Sequence, residues 1–158
     1  MEMIINGESA ESVSGERDNI INPATGESID TVPHATTEDV KIAIEHAEEA
    51  QKKWTKTGTR DRSKLFFAIA NSVRDRTDEL AILLTSEQGK PIGESKNEIH
   101  GFANVFEYYA GLSSALRGEY IDLPGYGLAF TDYEPVGICG AIIPWNMPAI
   151  IMAWKVAP

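Results

Sequence analysis

Cysteine is almost missing from this sequence: of 158 residues, only Cys139 carries a thiol. One thiol excludes an internal disulfide framework and a cysteine-built zinc site. Histidine is scarce too, and His34, His46 and His100 lie too far apart to form a paired-histidine metal motif. Cations are outnumbered, 14 Lys and Arg against 24 Asp and Glu, for a formal net charge of −10. Phosphate backbones are bound by clustered Lys and Arg, so this balance argues against nucleic acid as a partner, and equally against an anionic membrane surface. No apolar run reaches the ~18 residues of a membrane span, and no basic then apolar leader opens the chain. Glycine-rich phosphate loops, the GxSxG elbow and CxxC are absent. What remains is an ordinary apolar fraction of 42%, in a chain long enough to bury a core and expected in the cytoplasm.

The first residues read as strands and turns. Asn6-Gly7 after a short apolar run predicts a hairpin. A second unit joins Asn19–Ile21 to Ile29–Val32 through Asn22-Pro23-Ala24-Thr25-Gly26-Glu27, where Pro23 presets one turn dihedral and Gly26 supplies a positive one. Four helices follow. Thr36 caps the first, with apolar positions Val40, Ile44, Ala47, Ala50 and Trp54 on one side. The second spans about Thr59 to Asp75, with Leu65, Ile69 and Val73 as its apolar stripe. The third is capped by Thr77 and stops at Gly89-Lys90-Pro91. The fourth runs from near Ile92 to Leu116, its Ile99, Phe102, Phe106 and Tyr109 packing as a core face.

Beyond it the character changes. Glu119–Leu123 and Gly127–Tyr133 read as an antiparallel pair joined at Pro124-Gly125. Val136–Ile143 is apolar on both faces, the pattern of a strand at the centre of a helix-covered sheet. Pro148 suits the first turn of a further helix, apolar nearly all round and so expected to be buried. One strand cannot cover such a helix, so the sequence reads as the front part of a larger α/β protein.

Among chemical candidates, Pro144-Trp145-Asn146-Met147-Pro148 stands between the expected strand and a helix start, where open α/β sheets bind ligands. On the residues alone, Asn146 reads first as a helix N-cap and second as a carboxamide donor to a ligand, and Trp145 as a packing residue. Cys139, inside an apolar strand and without a neighbouring cation, is expected to be a buried, inert thiol. Glu87, Glu94 and Glu98 read as solvated helix charges or caps, and nothing supports metal ligation.

Taken in order, Asn22-Pro23-Ala24-Thr25-Gly26-Glu27, Glu87-Gln88-Gly89-Lys90-Pro91, Glu134-Pro135-Val136-Gly137-Ile138-Cys139-Gly140, Ile143-Pro144-Trp145-Asn146-Met147-Pro148 and Trp154-Lys155-Val156-Ala157-Pro158 resemble the N-terminal portion of the NAD(P)-dependent aldehyde dehydrogenase superfamily. The resemblance covers essentially the whole chain. It implies the front of a Rossmann-like cofactor-binding domain, helices plus the start of a parallel sheet, with a β-strand oligomerisation arm. Residues 1–118 would be the first part of that domain, 119–135 the arm, and 136–158 its strand and helix start.

The resemblance further implies oxidation of an aldehyde to a carboxylate through a cysteine thiohemiacetal, with NAD or NADP taking hydride. By position, Asn146 matches the oxyanion-hole asparagine. Ile142, Ile143, Pro144 and Trp145 match the wall of the cofactor cleft, and Lys155 a lysine close to the active site. An ordinary cation whose stem packs beside Trp154 is the alternative for Lys155. The nucleophilic cysteine and the water-activating glutamate would lie beyond Pro158, so this chain alone is expected to be inactive. A non-catalytic remnant that associates with a full-length or complementing subunit is the alternative function.

Overall fold

Two hairpins open the chain, each dictated by its turn. The computed structural model describes residues 1–158. Strand β1 (Met3–Ile5) pairs antiparallel with β2 (Glu8–Ala10). Asn6 and Gly7 both take positive φ, 56° and 79°, as the tight primed turn requires. Strand β3 (Arg17–Ile21) pairs with β4 (Ser28–Pro33) across the Asn22–Glu27 turn. There the Asn22 side chain accepts from the Ala24 N–H at 2.9 Å.

Helix α1 (Thr37–Trp54) starts with a capping box: Asp39 N–H donates to the Thr36 hydroxyl, and Thr36 N–H donates to the Asp39 carboxylate at 2.7 Å. The same carboxylate, 3% exposed, accepts from the Ser12 hydroxyl at 2.8 Å and the Val13 N–H at 3.0 Å, tying the loop after β2 to the helix. The Thr36 N–H is the chief cause that holds the Asp39 carboxyl far below the usual carboxylate range; burial opposes it and the Ser12 hydroxyl assists. A carboxyl so depressed stabilises the fold above its unfolded value, near pH ~4, and loses that contribution as pH falls toward the folded value. Asp39→Asn is therefore expected to lower Tm by several degrees at pH 7, with the gap to wild type closing below pH ~4. Thermal melts by circular dichroism between pH 7 and 3 check this, and a gap independent of pH would contradict it.

The core is built on α4. Helices α2 (Thr59–Asp75), α3 (Thr77–Gln88) and α4 (Ile92–Leu112) fold back on one another, and α5 (Pro148–Val156) packs on α4 from the far end of the chain. One apolar cluster gathers Ala70, Ala103, Phe106, Ala153 and Ala157, and a smaller one Ala81, Leu84 and Ile99. Small residues let α5 approach closely: a Cβ on Gly101 would stand 2.6 Å from Ile150 Cδ1. The face of α2 turned to this core centres on Phe66 and Ala70, and Leu65 is instead 46% exposed. Helix α4 ends at Leu112, short of Leu116, because the Ala110 carbonyl is taken by the hydroxyls of Ser63 and Ser113 at 2.8 and 3.0 Å.

Three sequence expectations are corrected here. Val136–Ile143 forms no strand: the three sheets are separate antiparallel pairs, and none offers this segment the neighbour that a central parallel strand needs. Cys139, expected to be buried, is accordingly exposed. Helix α5, expected to be covered all round, buries Ala153 and its C-cap residue Ala157 against α4 while Met152, Trp154 and Val156 stay exposed, because nothing among these residues lies on its outer side. In the same way the predicted apolar side of α1 is left open, with Val40 52% and Ile44 43% exposed. The expected two-stranded unit is present as β5 (Tyr120–Leu123) and β6 (Gly127–Phe130), turned by Pro124 and by Gly125 at φ 85°.

Candidate functional site

Five pieces of chain meet at one open cleft of about 700 Å³: the β3–β4 turn at Pro23, the end of α3, Gly89 and Lys90, the first half of α4 and the Trp145–Met147 bend. Gly89 makes the geometry possible. It closes α3 in the left-handed region at φ 76°, and a Cβ there would sit 2.9 Å from Pro23 Cγ, so neither the backbone nor the space admits a side chain.

The four free N–H groups of a helix start need acceptors. In α5 the N-cap residue is Met147, whose side chain supplies none, and Pro148 at the first position has no N–H to satisfy. The acceptor comes from α4. Glu98, with 1% of its side chain exposed, places Oε1 at 2.8 Å from Ala149 N and 3.4 Å from Ile150 N. Its other oxygen, Oε2, is ion-paired with Lys90 Nζ. That ammonium also donates to the Asn146 carbonyl at 2.9 Å. Next to it, Gln88 Nε2 donates to the Trp145 carbonyl, while Gln88 Oε1 is buried with no partner.

These contacts leave the Asn146 side chain free. It is exposed, caps nothing and makes no hydrogen bond within the chain; the N-cap reading of Asn146 is therefore overturned. A free carboxamide on an anchored backbone, two residues before a helix start, is suited to donate to an oxygen that gains negative charge. Trp145, read at first as a packing residue, is 85% exposed instead. Ile142 is 89% exposed, Pro144 is exposed and Ile143 is half-buried, so the segment from 142 to 145 presents an apolar wall with unpaired backbone amides. An apolar wall beside free N–H groups has the chemistry that a dinucleotide needs for its flat rings and its polar edges. Lys155 lies apart from the cleft, exposed in the last turn of α5, about 10 Å along the helix axis from Pro148.

Glu98 is the residue the sequence reading misjudged. The sequence reads it as a solvated helix charge or a cap; it is a cap, but a buried one, and it serves a helix 51 residues away in sequence and not its own. A signal was available. Glu98, Phe102, Phe106 and Tyr109 follow one another at four- and three-residue steps, which sets a carboxylate on the apolar face of α4.

A helical layer beside strand pairs, with an exposed carboxamide between a glycine-containing apolar segment and a helix start, is the arrangement of an α/β fold. The family model for the aldehyde dehydrogenase family matches residues 10–158, and the chain belongs to that family. Solved structures agree. Betaine aldehyde dehydrogenase from Staphylococcus aureus, in complex with NAD+, is 36% identical with a TM-score of 0.93, covering 99% of this chain and 32% of that one. An aldehyde dehydrogenase from Bacillus cereus is 32% identical with a TM-score of 0.95, over 99% of this chain and 32% of its own. An NADP-dependent enzyme from E. coli is also 32% identical, with a TM-score of 0.93, over 98% of this chain and 32% of its own. The chain thus spans about a third of the length of the structures it matches. No helix in it is long and apolar enough to cross a membrane.

Proposed function

We propose that this chain contributes the oxyanion carboxamide and one wall of the cofactor cleft to an NAD(P)-dependent aldehyde dehydrogenase. The observation that carries the reading is the Asn146 side chain, exposed and uncommitted on a bend whose backbone is held from both sides. As a nucleophile adds to the aldehyde carbonyl, the oxygen gains charge, and the Asn146 Nδ2–H donates to it. Ile142, Ile143, Pro144 and Trp145 would line the dinucleotide, the side-chain carbons against its rings and the free amides toward its polar edge. Bound NAD or NADP would supply the hydride acceptor for the oxidation. Lys155 is carried as a candidate near that site on the resemblance alone.

The thiolate nucleophile and the glutamate that activates water are assigned outside these 158 residues. Cys139 does not suit the part: it is exposed, and its only hydrogen bond is a weak one from Sγ to the Gly137 carbonyl at 3.8 Å, with no base bonded to it. In this reading residues 1–118 and 136–158 belong to the cofactor-binding domain, and 119–135 form an arm for contact between like subunits. The exposure of Tyr126 (95%) and Phe130 (79%) on that arm supports a subunit contact. The same exposure favours, as a second reading, a non-catalytic chain that pairs with a complementing dehydrogenase subunit.

The intact mass of the protein from its native source, followed by an aldehyde panel with NAD and with NADP, tests the proposal. A mass above 17.3 kDa together with aldehyde-dependent reduction of either nicotinamide is the expected result. A mass equal to 17.3 kDa, with reduction only after a second chain is added and co-elutes with it, favours the second reading. Absence of reduction under both conditions overturns the enzyme assignment.

A further inference from the structure

We propose that Gln88, Lys90 and Glu98 act together as positioning residues for Asn146, fixing the backbone on both sides of it so that its carboxamide points one way. The inference rests on the reading of Asn146 as the oxyanion donor, and extends it to residues that touch neither substrate nor cofactor.

The argument begins with what the bend lacks. Residues 136–147 belong to no helix or strand, so this stretch is not held by a regular backbone ladder. A side chain mounted on such a segment would sample many directions, and a misplacement of about 1 Å at a reacting centre costs on the order of a hundredfold in rate. Here the backbone is held from outside at successive points. Trp145 O receives the Gln88 amide, Asn146 O receives the Lys90 ammonium, and the N–H groups of Ala149 and Ile150 reach the Glu98 carboxylate.

Two of the three clamps, Lys90 and Glu98, are one unit. Lys90 Nζ is shared between Glu98 and the Asn146 carbonyl, so the charge that caps α5 also fixes the group that holds residue 146. Lys90 is 14% and Glu98 1% exposed at the side chain, a pair shielded from water on one partner almost completely. Charge-assisted hydrogen bonds in such a setting are short and directional. Removal of either partner strands the other and frees the bend. The Asn146 carboxamide itself makes no hydrogen bond within the chain, as a donor kept for an incoming oxygen requires.

Lys90→Met, Glu98→Gln and Lys90→Arg, each alone and each combined with Asn146→Ala, test the proposal in the protein that carries this chain. Amide hydrogen exchange across residues 145–151 reads the anchoring directly. Exchange at Ala149 and Ile150 is expected to rise by about tenfold in Lys90→Met and Glu98→Gln. In steady-state kinetics the same two variants are expected to lose about ten- to a hundredfold in kcat with KM nearly unchanged. Lys90→Arg is expected to recover most of that loss. In the Asn146→Ala background neither substitution should cost kcat further, because the donor they position is already gone.

Full additivity with Asn146→Ala, or unchanged kcat in both single variants beside a deficient Asn146→Ala, overturns the positioning role while the oxyanion assignment stands. Wild-type kcat in Asn146→Ala itself removes the oxyanion assignment, and this inference about catalysis falls with it. Unchanged exchange at Ala149 and Ile150 overturns the clamp whatever the kinetics. Matched circular dichroism spectra and unfolding midpoints for Lys90→Met and Lys90→Arg keep the comparison free of global unfolding.

Discussion

Replacing Asn146 with alanine is expected to lower kcat of the dehydrogenase by about a hundredfold to a thousandfold while the fold and Tm stay as they are. The two halves of this expectation come from the same geometry. The Asn146 side chain is exposed, caps no helix and bonds to nothing in the chain, so its removal takes away no structural contact. A donor of this kind acts only when charge develops on the carbonyl oxygen, so its loss appears in the transition state, worth about 3 kcal/mol, and hardly in substrate binding. The expected pattern is therefore a fall in kcat and kcat/KM together with KM little changed. Asn146→Asp sharpens the comparison. It keeps the shape, removes the N–H and sets a negative charge against the forming oxyanion, so it should be the worse of the two. Steady-state kinetics on wild type, Asn146→Ala and Asn146→Asp decide the matter. Equal turnover in all three would take Asn146 out of the chemistry.

Local chemistry made part of this legible from the sequence. The hairpin at Asn6-Gly7 and the stop at Gly89 were readable because single residues dictate backbone angles there. The helix cap at Thr36 was readable because a threonine stands just before acidic residues in the first turn, and the structure adds the reciprocal bond from Asp39. Helix periodicity placed Ile99, Phe102 and Phe106 on one face of α4, where they are found.

What failed was everything that depends on a distant partner. Val136–Ile143 has the composition of a central strand, but a strand exists by pairing, and no neighbour for it is present among these residues. The buried thiol expected at Cys139 failed for the same reason. The cap of α5 was invisible from the neighbourhood of the helix, since its acceptor, Glu98, is contributed by another helix. On the residues alone Asn146 reads as that cap, the commoner local solution, while the resemblance matches it to an oxyanion donor. Only the contact between α4 and α5 shows that the capping position is already served and that the asparagine is spare.

That contact has an energetic base, and it leads to the second large expected effect. Phe106→Ala should destabilise the fold by about 3–5 kcal/mol, against a total for a domain of this size of about 5–15 kcal/mol. Phe106 is 5% exposed, stands edge-on to Phe66 on α2 with ring centroids 5.3 Å apart, and stacks on Phe102 at 4.9 Å. It shares its cluster with Ala70, Ala103, Ala153 and Ala157, so one ring joins α2, α4 and α5. Its four fully packed neighbours in the cluster are alanines, whose short side chains cannot move in to fill the space, so much of the cavity left by the ring persists. The midpoint of urea unfolding should fall steeply. Because α5 loses its seat through Ala153 and Ala157, exchange of its amides should rise more than that of α3, which packs on the other cluster through Ala81 and Leu84. Phe102→Ala, at a half-buried ring, should cost less. A midpoint close to wild type for Phe106→Ala would mean that α5 is held on α4 by its polar cap at Glu98 and not by the aromatic cluster, which would invert the order of forces argued for this end of the molecule.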